Sequence, residues 1–172
     1  MIISMYQASV PVYIRMLNNL SAIMEKAEAH AKEKNIGLDV FFNSRLAPDM
    51  FPFYRQIQIA CDLAIRSVAR LKGMDVPSIS DDEKNFDDLH TRINNTIAYL
   101  ITITPEGIDG SEDRMITLEI RGMTLNFTGM TYLLNFVLPN FYFHITTAYD
   151  ILRHNGVELT KPDYIGKPDS IG

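Results

Sequence analysis

The sequence of 172 residues has no tryptophan and a single cysteine, Cys61. One cysteine cannot build an internal disulfide framework, so the fold does not depend on disulfides and suits a reducing compartment. Basic side chains are also scarce, because 16 Lys and Arg stand against 21 Asp and Glu and give a formal net charge of -5. Proteins that bind nucleic acid are usually basic, so nucleic acid is not an expected partner.

Long hydrophobic runs and an N-terminal basic cluster are missing as well. The most apolar stretch, Tyr132 to Phe143, is interrupted by two asparagines and Pro139, and no positive cluster precedes Arg15. Neither a membrane-spanning helix nor a signal peptide fits, so the sequence predicts a cytoplasmic protein without a membrane partner. Because 47% of the residues are apolar and 22% charged, we expect one globular domain over residues 1–172.

Four segments in which apolar residues recur at spacings of three and four predict long amphipathic helices. The first begins at a Ser-x-x-Gln capping box at Ser4 or, because Pro11 removes one ladder hydrogen bond, near Val10. The second is predicted to follow Asp49 as its N-cap and to end near Gly73.

The third helix is predicted to begin at a capping box in residues 80–83. The fourth begins behind Thr128, kinks at Pro139 and ends at residues 155–156. Alternating apolar and polar residues between positions 107 and 128 predict a β-hairpin. The sequence therefore predicts an all-α fold, a four-helix bundle with a small β-hairpin inserted between helices 3 and 4. Because an isolated hairpin is marginally stable, it is expected to pack on the bundle or on a second subunit.

Two segments outside the helices carry weaker signals. Residues 38–48 predict a connector with one short helical turn, and residues 157–172 predict an extended C-terminal tail. The tail contains Lys-Pro-Asp-Tyr-Ile-Gly followed by Lys-Pro-Asp-Ser-Ile-Gly, whose proline and glycine content disfavours regular helix. We expect Tyr164 and Ile165 of the first copy to pack against the helices.

His144 interrupts the apolar stripe of the fourth helix and should face inward. Asn140 lies one turn earlier and Thr147 about one turn later, so three polar side chains share an edge of that face. On the second helix, Gln58 and Asp62 lie at i and i+4. Buried polar groups must be paired, solvated or bound to a ligand, so a pocket between the second and fourth helices is predicted. The predicted pocket residues are Tyr54, Gln58, Asp62, Asn140, His144 and Thr147.

Two uses of His144 remain open from these residues alone. It is either a core histidine hydrogen-bonded to Asn140, Asp62 or a backbone carbonyl, or one wall of a metal-free polar pocket. Cys61 lies on a core stripe and is expected to pack rather than to act as a nucleophile. No glycine-rich phosphate loop, serine-centred elbow or paired-cysteine metal motif occurs in the sequence.

Arg45, Asp49 and Arg55 cluster near the start of the second helix. The two arginines, together with the histidine, would form an anion-binding mouth lined by Phe51 and Tyr54. Alternatively, Asp49 caps the helix while the arginines cover apolar surface with their stems. We favour the second interpretation, since capping explains the aspartate without further assumptions.

Three strings, SMYQASVPVYIRML, NSRLAPDMFPFYRQIQIACD and PNFYFHITTAYDILRHNG, carry a family resemblance. They resemble the DinB/YfiT-like superfamily of four-helix bundles, in a branch catalogued as a domain of unknown function. The resemblance covers nearly the whole chain. It implies metal-dependent transfer of a low-molecular-weight thiol, provided that the metal triad of that superfamily is present.

The triad departs from the superfamily pattern. Metal-binding members resemble one another in a histidine on the second helix and a His-x-x-x-His pair on the fourth, which places two imidazoles on one face. Here the pair reads Asn140 and His144, and no histidine occurs between Met50 and Leu71. An amide is a poor ligand for zinc-like metals, so no cofactor is predicted, with a divalent transition metal as the alternative.

These observations favour a small-ligand-binding or stress-associated accessory protein of the DinB type without a competent metal triad. Helix faces rich in Tyr, Phe and Met predict a homodimer. One alternative is an enzyme that uses His144 as general base or as one metal ligand, with Asp62 orienting it. Another is a purely structural interaction module.

Overall fold

The computed structural model describes residues 3–120 and 122–167, which are mostly helical and include one two-stranded antiparallel hairpin. The helices are α1 (Val10–Lys34), α2 (Leu38–Asn43), α3 (Phe53–Lys72), α4 (Phe86–Ile101), a 3-10 turn (Pro105–Gly107), α5 (Gly129–Thr131), α6 (Leu138–His154) and α7 (Lys161–Ile165), and the strands are β1 (Met115–Ile120) and β2 (Met123–Thr128). A π-helical segment, Tyr132–Val137, joins α5 to α6. No helix within the described ranges has the length and apolar character needed to cross a membrane.

The first helix begins at the later of its two predicted starts. Ser4 and Gln7 do form a capping box, in which the Ser4 N–H donates to Gln7 Oε1 at 3.1 Å, but this box closes a turn that precedes α1. The helix itself begins at Val10, with Pro11 in its first turn, where the missing N–H costs no hydrogen bond. It ends at Asn35, whose left-handed conformation lets its backbone N–H donate to the carbonyl oxygens of Ala31 and Lys32 in the last turn.

The start of α3 differs from the prediction. The helix begins at Phe53 behind Pro52 and has no side-chain cap, so the assignment of Asp49 as its N-cap is wrong. A residue that precedes proline avoids the α region, so the helix cannot extend back through Phe51. Gly73 ends α3 in the left-handed conformation, as predicted.

The start of α4 also lies further along the chain than predicted. Asn85 is its N-cap, and Asn85 Oδ1 accepts the Asp88 N–H at 2.9 Å. Residues 80–83 do not form the predicted capping box, because their side chains and carbonyls are bound elsewhere, chiefly by Arg92.

Helices α3 and α4 run side by side in the same direction. Phe53 and Phe86, the first residue of each helix, stack with ring centroids 5.4 Å apart, and Asp62 meets Arg92 further along. The chain must therefore return over the length of α3, about 30 Å for its 20 residues, before α4 begins. Residues 74–85 make this return without helix or strand, and we call them the strap.

Helix α6 runs antiparallel to α3. His144, in the first half of α6, contacts Gln56 near the start of α3, whereas Tyr132, which precedes α6, contacts Arg70 near the end of α3. Helix α1 packs on both α4 and α6. Leu134, an apolar residue of the π-helical segment before Pro139, is 45% exposed.

The hairpin is confirmed, and it packs on the helices of its own chain. Leu118 on β1 pairs with Leu125 on β2, and the alternation buries Ile116 and Leu118 in the same core as the long helices. Thr128 caps the segment that follows, as predicted, with its Oγ1 accepting the Thr131 N–H.

The segment predicted as an extended tail contains the short helix α7 instead. Thr160 and Asp163 form its capping box, and Pro162 falls in its first turn, where a proline is tolerated. The Tyr164 carbonyl accepts from Asn19 on α1 at 3.0 Å, which docks the tail on that helix. Residues 168–172 lie outside the described residues.

Candidate functional site

The imidazole of His144 is half-buried between α6 and the start of α3. Its Nδ1 lies 2.7 Å from Gln56 Oε1, and Gln56 Nε2 donates to the Phe51 carbonyl oxygen at 2.8 Å. A carbonyl oxygen only accepts hydrogen bonds, so it fixes the amide with its NH2 toward Phe51 and its oxygen toward the imidazole. His144 Nδ1 must therefore carry the proton, and the lone pair of the ring resides on Nε2.

Nothing in the described part of the chain hydrogen-bonds to Nε2. The neighbouring Phe143 meets the imidazole edge-on, with ring centroids 5.3 Å apart, and is itself 55% exposed. The site thus presents one oriented acceptor beside an exposed aromatic ring.

The imidazole of His144 is neutral at pH 7. Burial lowers its pKa from 6.5 to about 4, and the positive charge of Arg55 acts in the same direction. A neutral imidazole with a free Nε2 accepts a hydrogen bond well, but a pKa of about 4 makes it a weak general base at neutral pH.

Acidification is expected to remove stability that His144 contributes. Because its pKa in the folded state is about 4 against 6.5 for a free imidazole, the unfolded chain binds more protons between these values. The contribution of His144 to the free energy of unfolding is complete above pH 6.5. It is lost as the pH falls from 6.5 through the folded-state pKa of about 4, and it changes little below that. Urea unfolding at pH 7 and pH 4 should show a larger decrease in the free energy of unfolding for the wild type than for His144→Gln.

The exposed His154 at the end of α6 supplies the matched control for this measurement. His154→Gln should keep the full pH dependence of the wild type. An NMR titration that gives His144 a pKa of 6 or above would contradict the assignment.

Gln58 and Asp62, predicted to face His144, lie on the other side of α3. Gln58 Nε2 donates to Glu83 Oε2 at 2.6 Å, and Asp62 Oδ1 accepts from Arg92 at 2.6 Å. Two residues along a helix correspond to a rotation of about 200°, so Gln56 and Gln58 necessarily point to different neighbours. The partner of His144 is therefore Gln56, not Asp62.

The other predicted pocket residues are also bound elsewhere. Asn140 Nδ2 donates to the Phe136 carbonyl at 2.6 Å, and Thr147 Oγ1 donates to the Phe143 carbonyl at 2.7 Å, so both satisfy their own helix. Tyr54 stacks on Phe42 of α2 with ring centroids 4.8 Å apart. None of these side chains hydrogen-bonds to the imidazole.

Arg92 on α4 is the centre of a buried ionic cluster that the sequence did not reveal. Its side chain is 5% exposed and contacts Asp62 at 2.6 Å, Glu83 at 2.6 Å and Asp81 at 3.1 Å. It also donates to the Ser80 carbonyl at 2.8 Å. We call these four residues with Ser80 the Arg92 cluster. Three of the five belong to the strap, so the cluster ties the strap to α3 and α4.

The two arginines of the predicted anion-binding mouth separate in the structure. Arg45 donates to the Met50 carbonyl at 3.3 Å and so stabilises the loop before α3. The guanidinium of Arg55 lies 6.0 Å from the ring centroid of Phe51, and it forms an ion pair with Asp81 of the strap.

The residues around His144 do not fit a zinc-like metal. Within residues 3–120 and 122–167, no group of three or more His, Cys, Asp or Glu is placed to hold a metal ion. The nearest polar neighbours are the amides of Gln56 and Asn140, and the N–H groups of both are already donated to backbone carbonyls. Amides are poor ligands for metals that prefer imidazole and thiolate, so no chemical step is assigned to a bound metal here.

Comparison with known proteins identifies the family. No functionally curated protein matches the chain. Residues 5–165 match the family described as domain of unknown function DUF1993. The crystal structure of a DinB family member protein from Shewanella denitrificans, at 1.83 Å resolution, is similar with 41% sequence identity and a TM-score of 0.88 over 97% of this chain and 94% of that chain. The chain therefore belongs to the DUF1993 family and is a member of the DinB family.

Proposed function

We propose that this chain is a small-ligand-binding accessory protein, built on a four-helix bundle of the DinB type, in which His144 Nε2 accepts a hydrogen bond from the ligand. The observation that carries the proposal is the hydrogen-bonded series from the Phe51 carbonyl through Gln56 to His144 Nδ1. This series fixes the tautomer of a half-exposed imidazole and leaves its second nitrogen as an unpaired acceptor.

The same geometry favours binding over catalysis. A catalytic histidine gains a proton during the reaction, and a carboxylate on its other nitrogen stabilises the resulting cation. Here an uncharged amide occupies that position, and the pKa of about 4 keeps the ring neutral. A general-base enzyme and a metal-dependent thiol transferase are therefore weaker candidates than a binding protein.

A purely structural role predicts a different outcome for the same residue. If His144 only filled space, His144→Leu would be as stable as the wild type and would leave ligand binding unchanged. The half-exposed position of the ring and its oriented Nε2 support a role at the surface instead.

NMR of protein labelled with 15N-histidine tests the proposal directly. The protein is titrated with a panel of small alcohols, amides, amines, hydroxy acids and phosphate esters at pH 7. We expect members that donate a hydrogen bond to shift the Nε2 signal of His144, because that nitrogen carries the free lone pair. The ring signals of His30, which lies near Gly156 in the C-terminal part of α1, serve as the internal control and should not move.

Two results would contradict the proposal. The first is ligand binding that persists unchanged in His144→Ala, or a panel that leaves the Nε2 signal unmoved. The second is stoichiometric zinc, nickel or iron in tag-free wild-type protein that disappears in His144→Ala, which would restore the metalloenzyme alternative.

A further inference from the structure

We infer that Ser21 and His90 form a second site, a nucleophile and its general base, that takes the acyl group of a small activated ester, with Glu28 positioning the imidazole. This activity goes beyond the proposed ligand binding at His144 and is independent of it. Ser21 and Glu28 lie two turns apart on α1, and His90 lies opposite them on α4. All three side chains are half-buried, so the group lies at the surface, where the two helices meet.

The hydrogen bonds around His90 fix its tautomer. His90 Nε2 lies 3.1 Å from Glu28 Oε2, and an ionised carboxylate only accepts hydrogen bonds, so Nε2 carries the proton. In the neutral ring the lone pair is then on Nδ1, which lies 3.2 Å from Ser21 Oγ. The hydroxyl of Ser21 must therefore donate to the imidazole, which is the direction that a serine nucleophile requires.

Ser21 uses its hydroxyl differently from other hydroxyl residues of the long helices. Thr91, Thr96 and Thr147 each donate to the carbonyl oxygen four residues earlier in their own helix. This local bond is the usual choice for a serine or threonine inside a helix. In the described part of the chain, the Ser21 hydroxyl bonds to His90 instead. The hydroxyl is thus held against a base rather than against the backbone.

His90 has the feature that His144 lacks. The second nitrogen of His144 is left without a partner while Gln56, an uncharged amide, holds the first, whereas the second nitrogen of His90 is held by the carboxylate of Glu28. When the imidazole takes a proton, this carboxylate stabilises the resulting cation, as the third member of a serine–histidine–carboxylate triad does. The criterion that favours binding over catalysis at His144 therefore favours catalysis at His90.

The acyl transfer is balanced by these groups and water. Ser21 Oγ attacks the carbonyl carbon while its proton moves to His90 Nδ1, and the bond to the leaving group breaks with its electron pair. The proton on Nδ1 passes to the departing group. Water then attacks the acyl-serine with Nδ1 again as the base, which releases the carboxylic acid and restores the hydroxyl. Because solvent stabilises the charge on the carbonyl oxygen at this surface position, the site suits an ester with a good leaving group.

Acetylation by para-nitrophenyl acetate tests the inference on the wild-type protein at pH 7. Release of nitrophenolate gives the rate, and mass spectrometry of the quenched protein locates the acetyl group. We expect the acetyl group on Ser21 and expect hydroxylamine to remove it, since hydroxylamine cleaves an ester but leaves the amide of an acetylated lysine. Ser78 is exposed in the strap and has no histidine partner among the described residues, so it should remain unmodified.

Variants of the three residues separate their roles. Ser21→Ala should abolish the acetyl-serine, and His90→Gln should slow its formation at least about 100-fold, the lower end of general-base catalysis. Glu28→Gln keeps the nucleophile and the base, so it should slow the reaction less and shift the midpoint of the pH–rate profile to lower pH, because no carboxylate then favours the charged imidazole. A merely structural Glu28 would leave that profile unmoved.

His154→Gln is the matched control for His90→Gln. His154 is exposed at the end of α6, and its replacement should keep the wild-type rate of acetylation. Urea unfolding of each variant verifies that the fold is retained.

Three results would overturn the inference. They are a wild-type protein without acetyl-Ser21, a rate that persists in His90→Gln, and a Glu28→Gln variant with the rate and pH profile of the wild type. His144→Ala leaves Ser21 and His90 in place and should be acetylated at the wild-type rate. The inference and the proposed function can therefore fail separately.

Discussion

Replacing Arg92 with alanine is expected to lower the free energy of unfolding by about 3–5 kcal/mol, the usual cost of removing one partner from a buried ionic group. The guanidinium contacts three carboxylates, Asp62, Asp81 and Glu83, and its side chain is 5% exposed. Without it, Glu83 keeps only Gln58 as a partner among the described residues, and the strap loses its main attachment to α4. Urea unfolding followed by circular dichroism measures the loss.

A second readout reports on the strap itself. Cys61 is fully buried, and burial raises the pKa of its thiol to about 12, so the native protein should resist thiol reagents. Because Cys61 lies on α3 next to Asp62, loosening of this region in Arg92→Ala should accelerate its labelling at least about tenfold.

Arg153→Ala is the matched control for Arg92→Ala. Arg153 is exposed in the last turn of α6, so its removal should change the free energy of unfolding by less than about 0.5 kcal/mol. A loss below about 1 kcal/mol in Arg92→Ala would show that other contacts hold the strap, and the expected role of the cluster would be wrong.

The helices and the hairpin were predictable because each leaves a local periodic signal. The stripe of α1, the alternation around Leu118 and the glycine at position 73 all depend on residues close together in the chain. The starts of α3 and α4 were not predictable in the same way. Pro52 moves the first start, and long-range bonds from Arg92 hold residues 80–83 outside helix at the second.

The position of His144 was predictable, but its partner was not. The stripe located the histidine on α6, whereas the prediction that Gln58 and Asp62 face it assumed which face of α3 meets α6. Only the tertiary arrangement sets that face. Gln56 did leave a signal, since it lies three residues after the buried Phe53 and four before the buried Ala60, on the same face.

The Arg92 cluster shows the limit of local interpretation. Asp81 and Glu83 resemble residues of a capping box, and that local meaning hid their long-range role. The informative residue was Arg92, which lies between Leu89 and Thr96 on the buried face of α4. An arginine on such a face requires acidic partners, and an acidic loop nearby supplies them.

Replacing Gly129 with alanine is the second change with a large expected effect, a loss of about 3 kcal/mol in the free energy of unfolding. A Cβ atom at this position would lie 1.9 Å from the carbonyl oxygen of Ser111. Backbone cannot move aside as a side chain tip does, and Met130 N–H, next in the chain, already donates to the Glu112 carbonyl at 2.8 Å. The glycine is therefore required for close packing between two backbone segments.

Gly107→Ala provides the comparison for Gly129→Ala. Its Cβ would meet only the Lys72 side chain, with Cε at 3.0 Å, and a lysine side chain can move away at little cost. We expect this control to lose less than about 1 kcal/mol. Ser111 precedes β1, and Gly129 follows β2 and begins the segment that leads into α6. The clash should therefore also separate the base of the hairpin from that segment. Faster hydrogen exchange of the β1 amides in Gly129→Ala, at unchanged exchange in α4, would establish that separation, and wild-type exchange together with wild-type stability would refute it.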